Sequence, residues 1–185
     1  MDTPPWSPDR YLTAYRFAAE AHRGQTVPGT DGLPYLMHLS LVCMEVMSAL
    51  AVEPGDDPDL AIQCALLHDV IEDTDVTHEQ VLASFGRAVA DGVQALSKDP
   101  GLPKAERMAD SLARIQAQPR AVWLVKLADR ITNLAPPPAS WSADKRARYR
   151  DEAGRILAAL GGASAYLSAR MQARIEAYAA HLAQL

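Results

Sequence analysis

The run Ala61-Ile62-Gln63-Cys64-Ala65-Leu66-Leu67 leads without a break into His68-Asp69-Val70-Ile71-Glu72-Asp73-Thr74. A core-like segment is thus followed by four ionisable groups within six residues. Continuing a buried element into such a cluster is costly unless the charges are paired, hydrated or bound to a metal. On a helix of about 3.6 residues per turn, His68 lies one turn from Glu72 and Asp69 one turn from Asp73. The expectation is a continuous helix with a polar strip two residues wide, imidazole beside carboxylate at one level and two carboxylates at the next.

Two other apolar segments carry the same anomaly. After Pro119, the stretch Ala121 to Leu134 is nearly all apolar apart from Lys126, Asp129, Arg130, Thr132 and Asn133. Lys126, Asp129, Arg130 and Asn133 fall at helical spacing and are expected on one face. An apolar helix expected from Leu36 to about Ala51 carries His38 in its first turn.

The rest of the chain reads as helical. Ser7-Pro8 supplies an N-cap and first-turn proline for a helix through Ala21 that stops near Gly24. Gln25 to Pro34 is a loop on composition, and Glu53 to Pro58 a linker. Thr77-His78-Glu79-Gln80 has the form of a capping box, opening a helix that ends at Phe85-Gly86. A short helix then runs to about Leu96, and Leu102-Pro103 opens another toward Gln118-Pro119. Pro136-Pro137-Pro138 ends the Asp129 helix. Trp141-Ser142 starts an alanine-rich helix to about Leu160, and Gly161-Gly162 separates it from a last helix ending near Leu185. No alternating strand pair or internal repeat stands out. The expected class is all-α, one domain over residues 1–185, a helical bundle with an interior metal site.

Composition narrows the function classes. A chain of 185 residues can bury a substantial core. No uninterrupted apolar run approaches the roughly 20 residues of a membrane span. The stretch Met1 to Pro8 lacks the basic and apolar parts of a signal peptide, and Cys43 and Cys64 sit among apolar neighbours as reduced core thiols. These features point to a cytoplasmic protein without a membrane partner. Net charge −5 argues against a nucleic-acid partner.

His38, His68, Asp69 and Asp129 offer two imidazoles and two carboxylates from three helices, the way bundles build interior metal sites. Taken singly, His38 would be a capping or core histidine and Asp129 an intrahelical partner of Arg130 or Asn133. One metal explains all three helices at once.

These residues also carry a resemblance. Pro34-Tyr35-Leu36-Met37-His38, the His68 to Thr74 run and Lys126-Leu127-Ala128-Asp129-Arg130-Ile131-Thr132-Asn133-Leu134 are similar to the HD-domain hydrolases of the RelA/SpoT family. Ala21-His22-Arg23-Gly24-Gln25 and Asp144-Lys145-Arg146 fit the same family. The resemblance covers about Tyr11 to Tyr149, with the motif-bearing part at about 8–150 and C-terminal helices at about 142–185. The length leaves no room for a synthetase domain, so the expected likeness is closest to the stand-alone small alarmone hydrolases of the metazoan SpoT-homologue kind.

That resemblance implies a hydrolase using one Mn²⁺ to remove pyrophosphate from the 3′ position of a purine alarmone, (p)ppGpp or (p)ppApp. It implies His38, His68, Asp69 and Asp129 as metal ligands, with Glu72 and Asp73 orienting and deprotonating the attacking water. Arg23, Lys104, Asn133, Lys145 and Tyr149 are the implied substrate contacts. Zinc is compatible with the same ligand types. His22, His78 and His181 are expected to be structural or surface residues.

Val27 stands where the family usually carries an arginine, and Leu39 where a proline commonly follows the first histidine. The first change bears on base recognition. A phosphatase acting on another phosphorylated nucleotide, such as the 2′-phosphate of NADPH, and a non-enzymatic alarmone sensor are therefore the competing readings. Oligomeric state is left open by the sequence.

Overall fold

The computed structural model describes residues 5–55 and 57–182. The reading of Met1 to Pro4 and Asp56 within the linker lie outside the described residues, whereas the last helix, expected to end near Leu185, stops at Tyr178 and passes into a 3₁₀ turn.

Among the described residues ten α-helices follow one another: α1 (Pro8–Ala21), α2 (Tyr35–Val52), α3 (Pro58–Leu67), α4 (Val70–Asp73) and α5 (His78–Phe85). After them come α6 (Arg87–Leu96), α7 (Arg107–Gln116), α8 (Arg120–Asn133), α9 (Ala143–Leu160) and α10 (Ala165–Tyr178). Short 3₁₀ turns occupy Gly161–Ala163 and Ala179–His181. Among the described residues there is no strand, only an isolated bridge between Thr26 and Pro34 that closes the 25–34 loop.

The helix starts follow local chemistry. Ser7 accepts a hydrogen bond from the Arg10 amide, Asp57 from Leu60, Ser142 from Lys145 and Ser164 from Leu167. The Thr77 capping box forms in both directions: Gln80 N donates to Thr77 Oγ1 and Thr77 N to Gln80 Oε1, at 3.3 and 2.8 Å. Gly86 ends α5 with φ 83°, a conformation that a side chain resists.

α2, α3 and α8 pack on one another at the centre of the molecule, with α1 against α3 and α9 and α10 against α8. Every residue of α3 from Leu60 to Leu67 is buried, as is every residue of α8 from Leu124 to Ile131. Such residues are each worth about 1.5–3 kcal/mol when fully buried as large aliphatics. α2 is long and apolar enough in composition to cross a membrane, but its inner face is spent on this core. Its buried Glu45 is gripped by Arg170 of α10, at 2.6 Å from Arg170 Nε. Cys43 and Cys64 are buried free thiols, and burial pushes Cys43 up to about 12.

Two further expectations are corrected here. The helix carrying His68 is not continuous: α3 stops at Leu67, His68 and Asp69 form a turn, and α4 is a single further turn. The helix expected from Leu102-Pro103 starts only at Arg107, whose guanidinium donates back to the carbonyls of Leu102 and Pro100 at 2.9 Å each. That bond set holds residues 100–106 as a loop.

Gly92 sets how closely α6 approaches the centre. A Cβ there would lie 2.8 Å from Cys64 Sγ and 3.0 Å from Val122 Cγ2. Gly92→Ala should therefore destabilise the protein by about 1–2 kcal/mol, overpacking outweighing the helix-propensity gain of alanine. Denaturant unfolding checks this, and an increased midpoint would contradict the packing.

Candidate metal centre and active site

The three central helices each deliver polar groups to one point in the core. α2 brings His38, the α3–α4 turn brings His68 and Asp69, and α8 brings Asp129. Successive residues on a regular helix point about 100° apart. The turn removes that constraint, so the adjacent His68 and Asp69 face the same spot, with Nε2 to Oδ2 at 2.9 Å.

The two imidazoles meet Nε2 to Nε2 at 3.3 Å. His38 Nε2 lies 3.6 Å from Asp69 Oδ2 and 3.5 Å from Asp129 Oδ1, and His68 Nε2 lies 3.8 Å from Asp129 Oδ1. Donors held about 2.0–2.2 Å from one divalent ion stand roughly 3–3.5 Å from their neighbours, close to the spacing of His38, His68 and Asp69, with Asp129 Oδ1 near both imidazoles. The donor orientation fits as well. His68 Nδ1 donates to the Ala65 carbonyl at 2.9 Å, which fixes the ring and leaves Nε2 as the ligand atom. Asp129 is aimed by its own helix, Lys126 Nζ donating to Oδ2 at 3.1 Å and Asn133 Nδ2 to Oδ1 at 2.5 Å.

The cluster demands positive charge. Burial opposes ionisation throughout, yet the carboxylates of Asp129 and Asp69 outweigh it and push His38 up to about 9. His68 is also raised, against its burial, by Asp69 and Asp129. In return Asp69 and Asp129 stay well below the usual carboxylate range despite their burial, the first held by His68 and His38 and the second by Lys126 and His38. Without a metal, a proton on His38 supplies compensating charge.

The second pair of carboxylates does not act as one unit. Tyr35 donates to Asp69 Oδ2 at 2.6 Å and to Asp73 Oδ2 at 3.1 Å. Burial and the neighbouring Asp69 charge raise the Asp73 carboxyl. Glu72 instead turns to Lys98, accepting from its Nζ at 2.7 Å and from its backbone amide at 2.9 Å. Neither Tyr35 nor Lys98 was among the residues expected from sequence. Tyr35 had a local signal, three residues before His38 on the same helix face. Lys98 is 26 residues from Glu72 and had none.

The expected substrate contacts divide. Asn133 borders the donor cluster through Asp129. Tyr149 packs beneath Arg130, whose guanidinium lies 4.2 Å above its ring, and edge-on to Trp141 at 5.1 Å. Lys145 sits over Trp141 at 3.9 Å, and Lys104 is exposed on the 100–106 loop. Arg23 is paired with Glu20 and largely exposed. Arg130 leaves the stripe it was expected to share and reaches Glu152 of α9 at 3.6 Å.

Because a divalent ion must displace the His38 proton, its uptake should release a proton and tighten as pH rises toward about 9, the point up to which His38 stays charged in the metal-free state. Calorimetric titration with Mn²⁺ in two buffers of different ionisation enthalpy measures this. Uptake with no proton release between pH 6 and 8 would contradict the charge assignment.

The chain is similar to several known proteins. The HD domain family profile matches residues 14–165. The chain is 37% identical over 166 residues to the guanosine-3′,5′-bis(diphosphate) 3′-pyrophosphohydrolase MESH1 of Danio rerio, covering 87% of this chain and 89% of that one. It is 34% identical over 160 residues to the Homo sapiens protein of that name, covering 84% and 87%. With the bifunctional (p)ppGpp synthase/hydrolase SpoT of Escherichia coli K12 it shares 35% over 158 residues, which is 82% of this chain and 21% of SpoT. The solved structure of a metazoan orthologue of SpoT that hydrolyses ppGpp superposes with a TM-score of 0.80 at 28% identity, covering 96% of this chain and 98% of that one. The chain belongs to the HD-domain hydrolases of the RelA/SpoT family.

Proposed function

We propose that this protein is a Mn²⁺-dependent hydrolase that removes the 3′-pyrophosphate from (p)ppGpp or (p)ppApp, working in the cytoplasm. The observation that carries the reading is the convergence of His38, His68, Asp69 and Asp129 within 2.9–3.8 Å contacts, beside a second carboxylate pair. Similarity to named guanosine-3′,5′-bis(diphosphate) 3′-pyrophosphohydrolases over most of the chain supports the substrate class. Imidazole and carboxylate donors without a thiolate suit manganese, and suit zinc nearly as well.

His38, His68, Asp69 and Asp129 hold the ion. When bound, it supplies Lewis-acid chemistry, drawing charge from phosphoryl oxygens and making water more acidic. Asp73, next to Asp69, orients the attacking water and takes its proton, a task suited to a carboxyl raised by burial. Glu72 shares in orienting that water from its place against Lys98. The water oxygen bonds to the 3′-phosphorus as the bond to the ribose 3′ oxygen breaks. Pyrophosphate leaves, and the 3′ oxygen takes a proton from solvent water to end as a hydroxyl. Lys104, Lys145 and Tyr149 contact phosphates and sugar or base, with Asn133 at the cluster edge. Arg23 joins them only by leaving Glu20.

Val27 favours a second substrate reading. It is part-buried against the core where family members carry a cation, and Arg23 is paired with Glu20. Residues 24–33 carry no lysine or arginine, which leaves adenine alarmones and the 2′-phosphate of NADPH as alternatives.

Product analysis with Mn²⁺ against ppGpp, pppGpp, ppApp, pppApp and NADPH is the test. The expected result is pyrophosphate from one or more 3′-pyrophosphorylated nucleotides, with turnover falling about 10²–10⁴-fold in the Glu72→Gln, Asp73→Asn double variant. Orthophosphate from NADPH alone would replace the alarmone with a different substrate. No turnover of any of the five by metal-loaded protein would overturn the enzyme reading in favour of a sensor.

A further inference from the structure

The Asp69 oxygen that faces both imidazoles has a third neighbour. Tyr35 opens α2, is 8% exposed, and places its hydroxyl 2.6 Å from Asp69 Oδ2 and 3.1 Å from Asp73 Oδ2. A phenol has one proton, and ionised carboxylates only accept, so one O–H serves both groups. Among the described residues, Tyr35 is the donor to the Asp73 side chain. The hydroxyl therefore stands where the metal-binding half of the site meets the water-activating half.

The ring is held from both sides. It stacks on His22 with centroids 4.8 Å apart and planes 22° apart, and it tilts against His38 at 5.4 Å. His22 is itself 4% exposed, and its Nδ1 donates to Gln25 Oε1 at 2.5 Å. The Gln25 carbonyl in turn accepts from the Tyr35 amide at 2.9 Å. The segment Ala21-His22-Arg23-Gly24-Gln25 thus forms a mount for one phenol ring.

We propose that Tyr35 is a positioning residue that couples the two halves of the site: its hydroxyl aims Asp69 Oδ2 into the donor cluster and keeps the Asp73 carboxylate beside it. The His22–Gln25 pair fixes the ring that carries the hydroxyl. Tyr35 is not itself a metal ligand, and its role is exerted through the carboxylates. An outer-shell partner of this kind typically contributes about 10–100-fold in metal affinity or activity. The effect on turnover rests on the proposed function, whereas the effect on metal affinity does not.

Tyr35→Phe keeps the ring and its stack on His22 and removes only the hydroxyl, so a packing role would survive the substitution. Three readouts are taken on wild type and variant: Mn²⁺ affinity from the free-ion paramagnetic resonance signal, kcat and KM for the alarmone turned over fastest, and the thermal midpoint. The expected result is an Mn²⁺ Kd weakened about 10-fold or more and a kcat lowered about 10–100-fold, with KM changed by less than about threefold. The thermal midpoint should stay within about 2 °C. An Mn²⁺ Kd and a kcat both within twofold of wild type would overturn the proposal. If wild type turns over no alarmone, the functional reading fails by itself, and the Mn²⁺ affinities still decide the role of Tyr35.

Discussion

Two carboxylates and two imidazoles compensate one another at the junction of α2, α3 and α8, and the rest of the structure is arranged to tolerate them there. His38 and His68 are 6% and 3% exposed and Asp129 is 7% exposed, so water does little to solvate their charges. Burying a carboxylate alone would cost several kcal/mol. Each carboxylate in the cluster therefore has a cation or donor beside it: Lys126 and Asn133 on Asp129, His68 and Tyr35 on Asp69. The apolar lengths of α3 and α8 on either side supply the burial that holds the charged groups together. Stability of the core and chemistry of the site thus draw on the same three helices.

Breaking the helix after Leu67 is the structural decision that makes the cluster possible. A regular helix would send His68 and Asp69 in different directions. The turn brings both inward, and a single further turn, α4, sets Glu72 and Asp73 at the rim with different partners. Asp73 stays with the metal half through Tyr35, while Glu72 is tied to Lys98 at the start of the loop that carries Lys104. Glu72 thereby fastens α4 to the segment that follows α6.

Much of this was legible in the sequence because the deciding interactions are local. Caps at Ser7 and Thr77, the stop at Gly86 and the Lys126, Asp129 and Asn133 part of the α8 stripe each depend on residues within about one turn of one another, and each appears as expected. The His68–Asp69 turn was hidden because the 3.6-residue pattern of apolar and polar residues runs straight through it. The reward for breaking the helix lies in His38 and Asp129, on other helices. Lys98 was illegible for the same reason, its partner being distant in sequence, and Arg130 was misplaced because Tyr149 and Glu152 draw it toward α9. The late start of α7 follows from Arg107 reaching back to carbonyls, which a proline at position 103 does not announce.

The central claim is that these four side chains hold one divalent ion. Crystals grown with saturating Mn²⁺, with diffraction recorded on both sides of the manganese absorption edge, test it directly. The account predicts a single strong anomalous peak about 2.0–2.4 Å from His38 Nε2, His68 Nε2 and a carboxylate oxygen of Asp69 and of Asp129. No peak among these atoms, or a peak that engages only one of the three helices, would contradict it.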